Sequence, residues 1–213
     1  MSGFGGMRRP PGRAGRLWLR GRLQIAERGL DLLDRKLRIL RGEQERLALL
    51  AQRTGDDFQR ACTEAETWLL RAALLGGQRA LRLAADGQPA DVTVAWRDTM
   101  GIRYPTEASC SPPQQTSPSL VTTAALDRAV AAHRAALAAA VRHAAASAAV
   151  RTVDAEVTAT RQRLRAIQDR WIPRLQATVT EVELALDELE HADAVRLRRA
   201  AVAAQATTVR RRP

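Results

Sequence analysis

Aromatic side chains are scarce in this sequence. Only 3% of its 213 residues are Phe, Trp or Tyr. Stretches of β-branched residues are equally thin. A compact globule is built around large side chains. Their absence, with helical periodicity over most of the length, predicts an elongated all-α protein that buries a narrow seam. Cysteine is nearly absent too. Cys62 and Cys110 have no metal-ligand spacing and no secretory context, so two free thiols in a soluble protein of a reducing compartment are expected. The opening MSGFGGMRRPPGRAGR lacks the apolar core of a signal peptide. No window of about 18 residues is both apolar and uncharged, so no membrane span is predicted. Even the Ala-rich run 124–150 is broken by Asp127, Arg128, His133, Arg134, Arg142 and His143.

Chemical constellations are missing as well. The glycines of GFGG follow no predicted strand and have no Lys-Ser or Lys-Thr downstream, which excludes a phosphate loop. His133 and His143 lack a carboxylate or thiol one helical turn away. They and His191 read as ordinary surface or seam residues. Glu181, Glu183, Asp187, Glu188 and Glu190 read as a solvated face pairing with arginines of a partner helix. Trp18, Trp68, Trp96 and Trp171 are spread along the chain, whereas stacking of single-stranded bases wants them clustered beside basic residues. The sequence therefore predicts no catalytic residue, no metal site, no cofactor and no direct small-molecule ligand.

What is present is a heptad-like pattern at both ends. In the N-terminal half Leu19, Leu23, Ala26, Leu30, Leu33, Leu37, Leu40, Leu47 and Ala51 recur in steps of four and three, with Gln44 as the one polar member. In the C-terminal half Val150, Val153, Val157, Thr160, Leu164, Ile167 and Trp171 do the same, followed by Leu175, Val179, Val182, Leu186 and Leu189. The consecutive steps of four around Trp171 amount to one inserted residue in the heptad frame. Pro173 lies beside it, and proline inside a helix predicts a kink. The two stripes make an antiparallel coiled coil whose seam includes Leu23, Leu30, Leu33, Leu37, Leu164, Ile167, Trp171, Leu175, Val182 and Leu189. Further along, Phe58, Cys62, Ala65, Leu69 and Ala72 continue the first stripe. Leu126, Val130, His133, Leu137, Val141 and Ala144 begin the second.

The domain plan follows. Residues 1–12 are a Gly- and Pro-rich arm and 13–85 a long helix, with breaks conceivable at Gly55 and at Gly76-Gly77. Residues 86–119 form a lobe, in which Asp91–Trp96 and Met100–Pro105 are two short strands and 106–119 a polar, Pro-rich loop. Residues 120–200 are a second long helix, and 201–213 a basic tail. The fold class is all-α, with a small β-hairpin in mid-chain.

Charge is unevenly placed. The net charge is +11, concentrated in the N-terminal 41 residues and the last 18, while the middle is slightly acidic. An antiparallel pair brings both basic segments together. Such a surface suits nucleic acid, an anionic membrane or an acidic protein cavity. On these grounds alone the chain is a shaft, a tether, a tRNA-binding arm, a chaperone tentacle or a basic adaptor for nucleic acid or membrane.

Three stretches narrow this. The run GRAGRLWLRGRLQIAERGLDLLDRKLRIL carries Gly29, Leu32, Leu33 and Lys36. The middle holds TMGIRYP. The C-terminal run has Ile172, Pro173, Arg174, Leu175, Thr178, Glu183, Glu188, Glu190, Arg196 and Leu197. In this order and spacing they resemble the D subunit of V-type and A-type ATPases, the central rotor shaft. The resemblance implies a non-catalytic component that passes torque between an A/B catalytic hexamer and the membrane rotor ring, coupling ATP synthesis or hydrolysis to proton or sodium transport. It implies the A and B subunits, the small F subunit of the stalk and the socket subunit of the ring as partners, and no nucleic acid. It also implies a cytoplasmic place, peripheral to the cell membrane. A basic group of Arg13, Arg16, Arg20, Arg196, Arg198 and Arg199 would then face the hexamer. Met100, Gly101, Ile102 and Pro105 would touch other stalk subunits.

Overall fold

The computed structural model describes residues 10–84, 89–112 and 123–209, with side chains as far as Ala203. Helix α1 runs Gly12–Ala84, strands β1 and β2 run Asp91–Thr99 and Ile102–Ser111, and helix α2 runs Ala124–Ala166. A π-turn, Ile167–Trp171, joins α2 to helix α3, Ile172–Val209. The long C-terminal helical segment packs antiparallel to the N-terminal helix, and the hairpin stands between them in sequence. Residues 1–9 of the expected arm, 113–119 of the expected loop and 210–213 of the expected tail lie outside the described residues.

The chain divides into two compact units. One holds the residues up to Arg35 and those from Arg161; the other is Lys36–Thr160. In the second unit α1 and α2 run antiparallel. Lys36 Nζ reaches Glu156 at 2.9 Å, and Gln44 Nε2 donates to Asp154 at 2.8 Å. The polar member of the first stripe thus finds its partner across the seam. Further along, Ala65 packs with Ala132 and Ala136, then Ala72 with Ala125, Leu126 and Ala129.

This contact corrects the expected stripe on α2. Leu137 is exposed and His133 and Ala144 with it, while Ala125, Ala129, Ala132, Ala136 and Ala139 are buried. The buried face of α2 in this stretch is mostly alanine, with Leu126 of the expected stripe as its one larger member, and Val153 and Val157 take over farther along the helix.

Helix α1 passes through Gly55 without a break. A Cβ there would meet His143 Cε1 at 3.2 Å. The glycine makes room for an imidazole stacked on Phe58, with ring centroids 6.1 Å apart. The irregularity falls at Gly77 instead, at φ 66°, ψ 175°, a conformation only glycine adopts cheaply.

The hairpin is longer than expected, and its turn is elsewhere. Arg97–Thr99 belong to β1, Thr106–Ser111 belong to β2, and Met100-Gly101 alone make the turn. Both turn residues have left-handed φ, 54° and 77°. That is the twist a two-residue hairpin connection needs. Asp98 Oδ1 accepts the Gly101 N–H at 3.2 Å. The register slips between Ala95↔Glu107 and Trp96↔Pro105, leaving Thr106 as the extra residue of a bulge. Proline beside a bulge sacrifices no ladder bond. At the C-terminus α3 continues through residues expected to form a tail, as far as Val209.

Candidate functional site

In the first unit Leu19 packs with Leu175, Val179 and Val182, flanked by Trp18, Leu23, Ala26 and Leu186. Leu30, Leu33, Leu164 and Ile167 are half-buried. The inserted residue inferred from the stripe takes physical form in the π-turn, where the Ile172 N–H bonds to the Ile167 carbonyl, five residues back. A π-turn holds one residue more than an α-turn. The seam therefore passes from Ile167 to half-buried Ile172, and on to Leu175, Val179, Val182 and Leu186. Trp171, expected on the seam, is 43% exposed, and Leu189 is 61% exposed. The expected kink at Pro173 is preceded by this π-turn. Because Pro173 has no N–H, the wider turn also accommodates its missing bond and bulky ring.

The basic group is partly neutralised by the acidic face of α3. Arg13 Nη2 lies 2.6 Å from Glu190, and Arg20 pairs with Glu183. Arg196 lies 3.2 Å from Asp193 on its own helix. Arg16, Arg198 and Arg199 make no ion pair among the described residues. The cross-helix pairs are solvent-exposed, so each adds little stability. Their spacing of seven residues on both helices fixes which faces meet.

In the second unit the hairpin is anchored to α1 by β2. Tyr104 is fully buried, and its hydroxyl donates to Glu43 Oε1 at 2.5 Å and sits 3.1 Å from Thr99 Oγ1. Arg46 Nη2 and Nε hold the same carboxylate at 2.6 and 3.0 Å. Leu40 and Leu47, one turn to either side of Glu43, are fully buried. The Arg46 hydrogen bonds are the main reason that the Glu43 carboxyl is held at about 2 against an ordinary 4.5. Burial opposes them, while the Tyr104 hydroxyl and the charges of Arg46 and Arg97 assist.

A carboxyl depressed on folding stabilises the fold above its ordinary pKa, and the contribution is lost as pH falls through the folded value. Hairpin stability is therefore expected to decline between pH 4.5 and about 2. Glu43→Gln should be flat over that window and start lower. Hydrogen exchange at β2 amides across an acid series measures both.

The residues expected to touch other stalk components separate into two pairs. Met100 and Gly101 are exposed at the turn, but Ile102 and Pro105 are buried inside the chain. The alternation of β2 turns Ile102 with Tyr104 inward, which a reading of the motif as a linear string does not show. The Glu43–Tyr104–Arg46 anchor was also missed in the sequence. Its signal was available: Glu43 and Arg46 lie three apart on one face, and Tyr104 is the chain's single tyrosine. His133 Nδ1 sits 2.8 Å from the Ala129 carbonyl, and His143 lies between Thr54 and Ser147 hydroxyls at 3.4 Å each. Among the described residues no cluster of His, Cys, Asp or Glu is arranged to hold a metal. No described helix is long and apolar enough to cross a membrane.

Fold and site together define an antiparallel helical pair with a hairpin pinned to one helix. Residues 17–201 match the family model for the ATP synthase D subunit. The chain is 32% identical to the V-type ATP synthase D subunit of Anaeromyxobacter sp., over 90% of this chain and 92% of that protein. It is 28% identical to the V-type ATP synthase D subunit of Thermotoga neapolitana, over 89% and 95% respectively. It is 29% identical to the A-type ATP synthase D subunit of Methanopyrus kandleri, over 89% and 84%. The chain belongs to the ATP synthase D-subunit family.

Proposed function

We propose that this chain is the non-catalytic central shaft of a V/A-type rotary ATPase. It transmits torque between an A/B catalytic hexamer and a membrane rotor ring, and so couples ATP synthesis or hydrolysis to proton or sodium movement. The observation that carries this reading is the family match, which runs from residue 17 to residue 201 through both helical segments and the hairpin. The physics agrees with it. A shaft must resist twisting, and a helical pair twists only by deforming its interdigitated seam. In this reading the first unit, with Arg16, Arg198 and Arg199 in no ion pair among the described residues, faces the hexamer. The small F subunit of the stalk and the socket subunit meet the second unit, with Met100 and Gly101 of the turn as candidate contacts. The chain is then cytoplasmic and peripheral to the membrane through its complex.

The rival reading, a basic adaptor for nucleic acid or an anionic membrane, rests on net charge. It is weakened because Arg13, Arg20 and Arg196 are engaged by carboxylates of the same chain. Co-elution with an A–B hexamer at about 150 mM salt, with excess DNA as competitor, separates the two. The shaft reading expects one chain retained per hexamer, with DNA unable to strip it, and a changed ATPase rate. Retention on DNA with no hexamer binding overturns it.

A further inference from the structure

Strand β1 has no partner on its outer edge among the described residues. Eight of its nine residues are exposed, and Val92, Val94 and Trp96 stand on one face at 52%, 36% and 53% exposure. The segment Val92–Trp96 has no charge and no proline. Natural sheets blunt an open edge with lysine, proline, a bulge or a cover, because an unblunted one recruits another strand. Here the bulge is on β2, and the β1 edge has neither bulge nor covering strand among the described residues. The Ala95 carbonyl points to β2, where the Thr106 hydroxyl donates to it at 3.3 Å. By alternation the N–H and C=O groups of Val92, Val94 and Trp96 face outward.

We infer that β1 pairs antiparallel with β1 of a second copy of this chain, about a twofold axis at Val94. The strand's own sequence selects this occupant and this register. Directly opposed residues share a sheet face, so keeping the apolar residues together allows only shifts of two. Centring on Val94 sets Val92 opposite Trp96 on both sides of the axis, and Asp91 opposite Arg97 on both sides. The opposed positions are the seven from Asp91 to Arg97, and every charge within them meets its opposite; Asp98 falls beyond the partner strand's Asp91. A shift of two in one direction sets Asp98 against Val92; in the other it takes Arg97 beyond the end of the partner strand. The product is a four-stranded sheet in which a marginal two-stranded one stood. The pairing belongs to the free chain and is independent of the shaft reading.

The test is sedimentation of the free full-length chain under reductant, from below micromolar to tens of micromolar, with no hexamer present. The wild type is expected to pass from monomer to dimer. Val94→Lys, which sets two cations face to face on the axis, should remain monomeric. Asp91→Arg and Arg97→Asp should each weaken the dimer about tenfold, because each reversal creates two like-charge pairs. The double variant should restore it. Hydrogen exchange at β2 amides shows that the hairpin stays folded in each variant. Any of three results overturns the inference: a wild type monomeric at every concentration, a dimer unaffected by Val94→Lys, or a double variant no tighter than the single ones.

Discussion

Deleting Gln176 is expected to destroy the helical pairing of the first unit, whereas deleting Asp169 together with Pro173→Ala leaves it intact. Both deletions shorten the chain by one residue in the same helical segment. Gln176 lies in regular α-helix between Leu175 and Val179, two buried members of the seam. Its loss rotates everything beyond it by about 100°, which turns Val179, Val182 and Leu186 away from Leu19 and Leu23. It also separates Arg20 from Glu183 and Arg13 from Glu190. Removing those side chains from the seam costs on the order of 4 kcal/mol. Asp169 is the middle of the π-turn and exposed. Removing it converts the π-turn to an α-turn, so Ile167 and Ile172 remain on one face and the seam beyond stays in register. Proline would clash with the narrower turn by about 3 kcal/mol, which is why the substitution accompanies the deletion. Pro173→Ala alone should keep the π-turn, since the seam on both sides still holds one residue too many for an α-helix. Thermal unfolding by circular dichroism separates the variants. If deletion of Asp169 with Pro173→Ala proves as damaging as deletion of Gln176, the π-turn is not what sets the register.

The frame shift was legible in the sequence because it interrupts a strong leucine-rich periodicity, but its location was not. A count of apolar residues prefers Trp171 to Ile172, since tryptophan is the larger. Geometry chooses Ile172, because an inserted residue moves the seam by five positions where a run of fours was read. The same bias misplaced the buried face of α2. Alanine carries a weak hydropathy signal, yet alanines make up most of the face on which Ala65 and Ala72 pack with Ala132, Ala136 and Ala129. The N-terminal stripe was readable because its buried members Leu19, Leu37, Leu40 and Leu47 are leucines with a strong hydropathy signal, and Gln44 could be placed on it despite being polar. The hairpin could be predicted, but its turn could not. Met-Gly is not a common primed-turn pair, and the left-handed φ of Met100 becomes evident only with the strands in place. The anchor on Glu43 joins residues 61 positions apart, a separation at which periodicity says nothing.

Tyr104→Ala is expected to release the hairpin from α1 while leaving the helices folded. The ring is the largest of the fully buried side chains, and truncating a buried aromatic costs about 3–5 kcal/mol. An isolated two-stranded hairpin has little stability of its own to set against such a loss. The substitution also deprives Glu43 of one hydrogen bond, though Arg46 keeps the carboxylate paired. Tyr104→Phe isolates that second effect. It keeps the ring and loses only the hydroxyl, at about 1.5–3 kcal/mol for a bond to a charged group. The helices have their own ties, Lys36 with Glu156 and Gln44 with Asp154, so helical circular dichroism should change little in either variant. Exchange at the amides of β1 and β2 should rise steeply in Tyr104→Ala and modestly in Tyr104→Phe. If the chain is a rotary shaft, Tyr104→Ala should still enter the A–B hexamer through its first unit, yet bind the small stalk partner or the socket protein more weakly. Equal loss of both interactions would mean that the hairpin supports the whole helical pair; unchanged binding of both would remove the turn from the list of contacts.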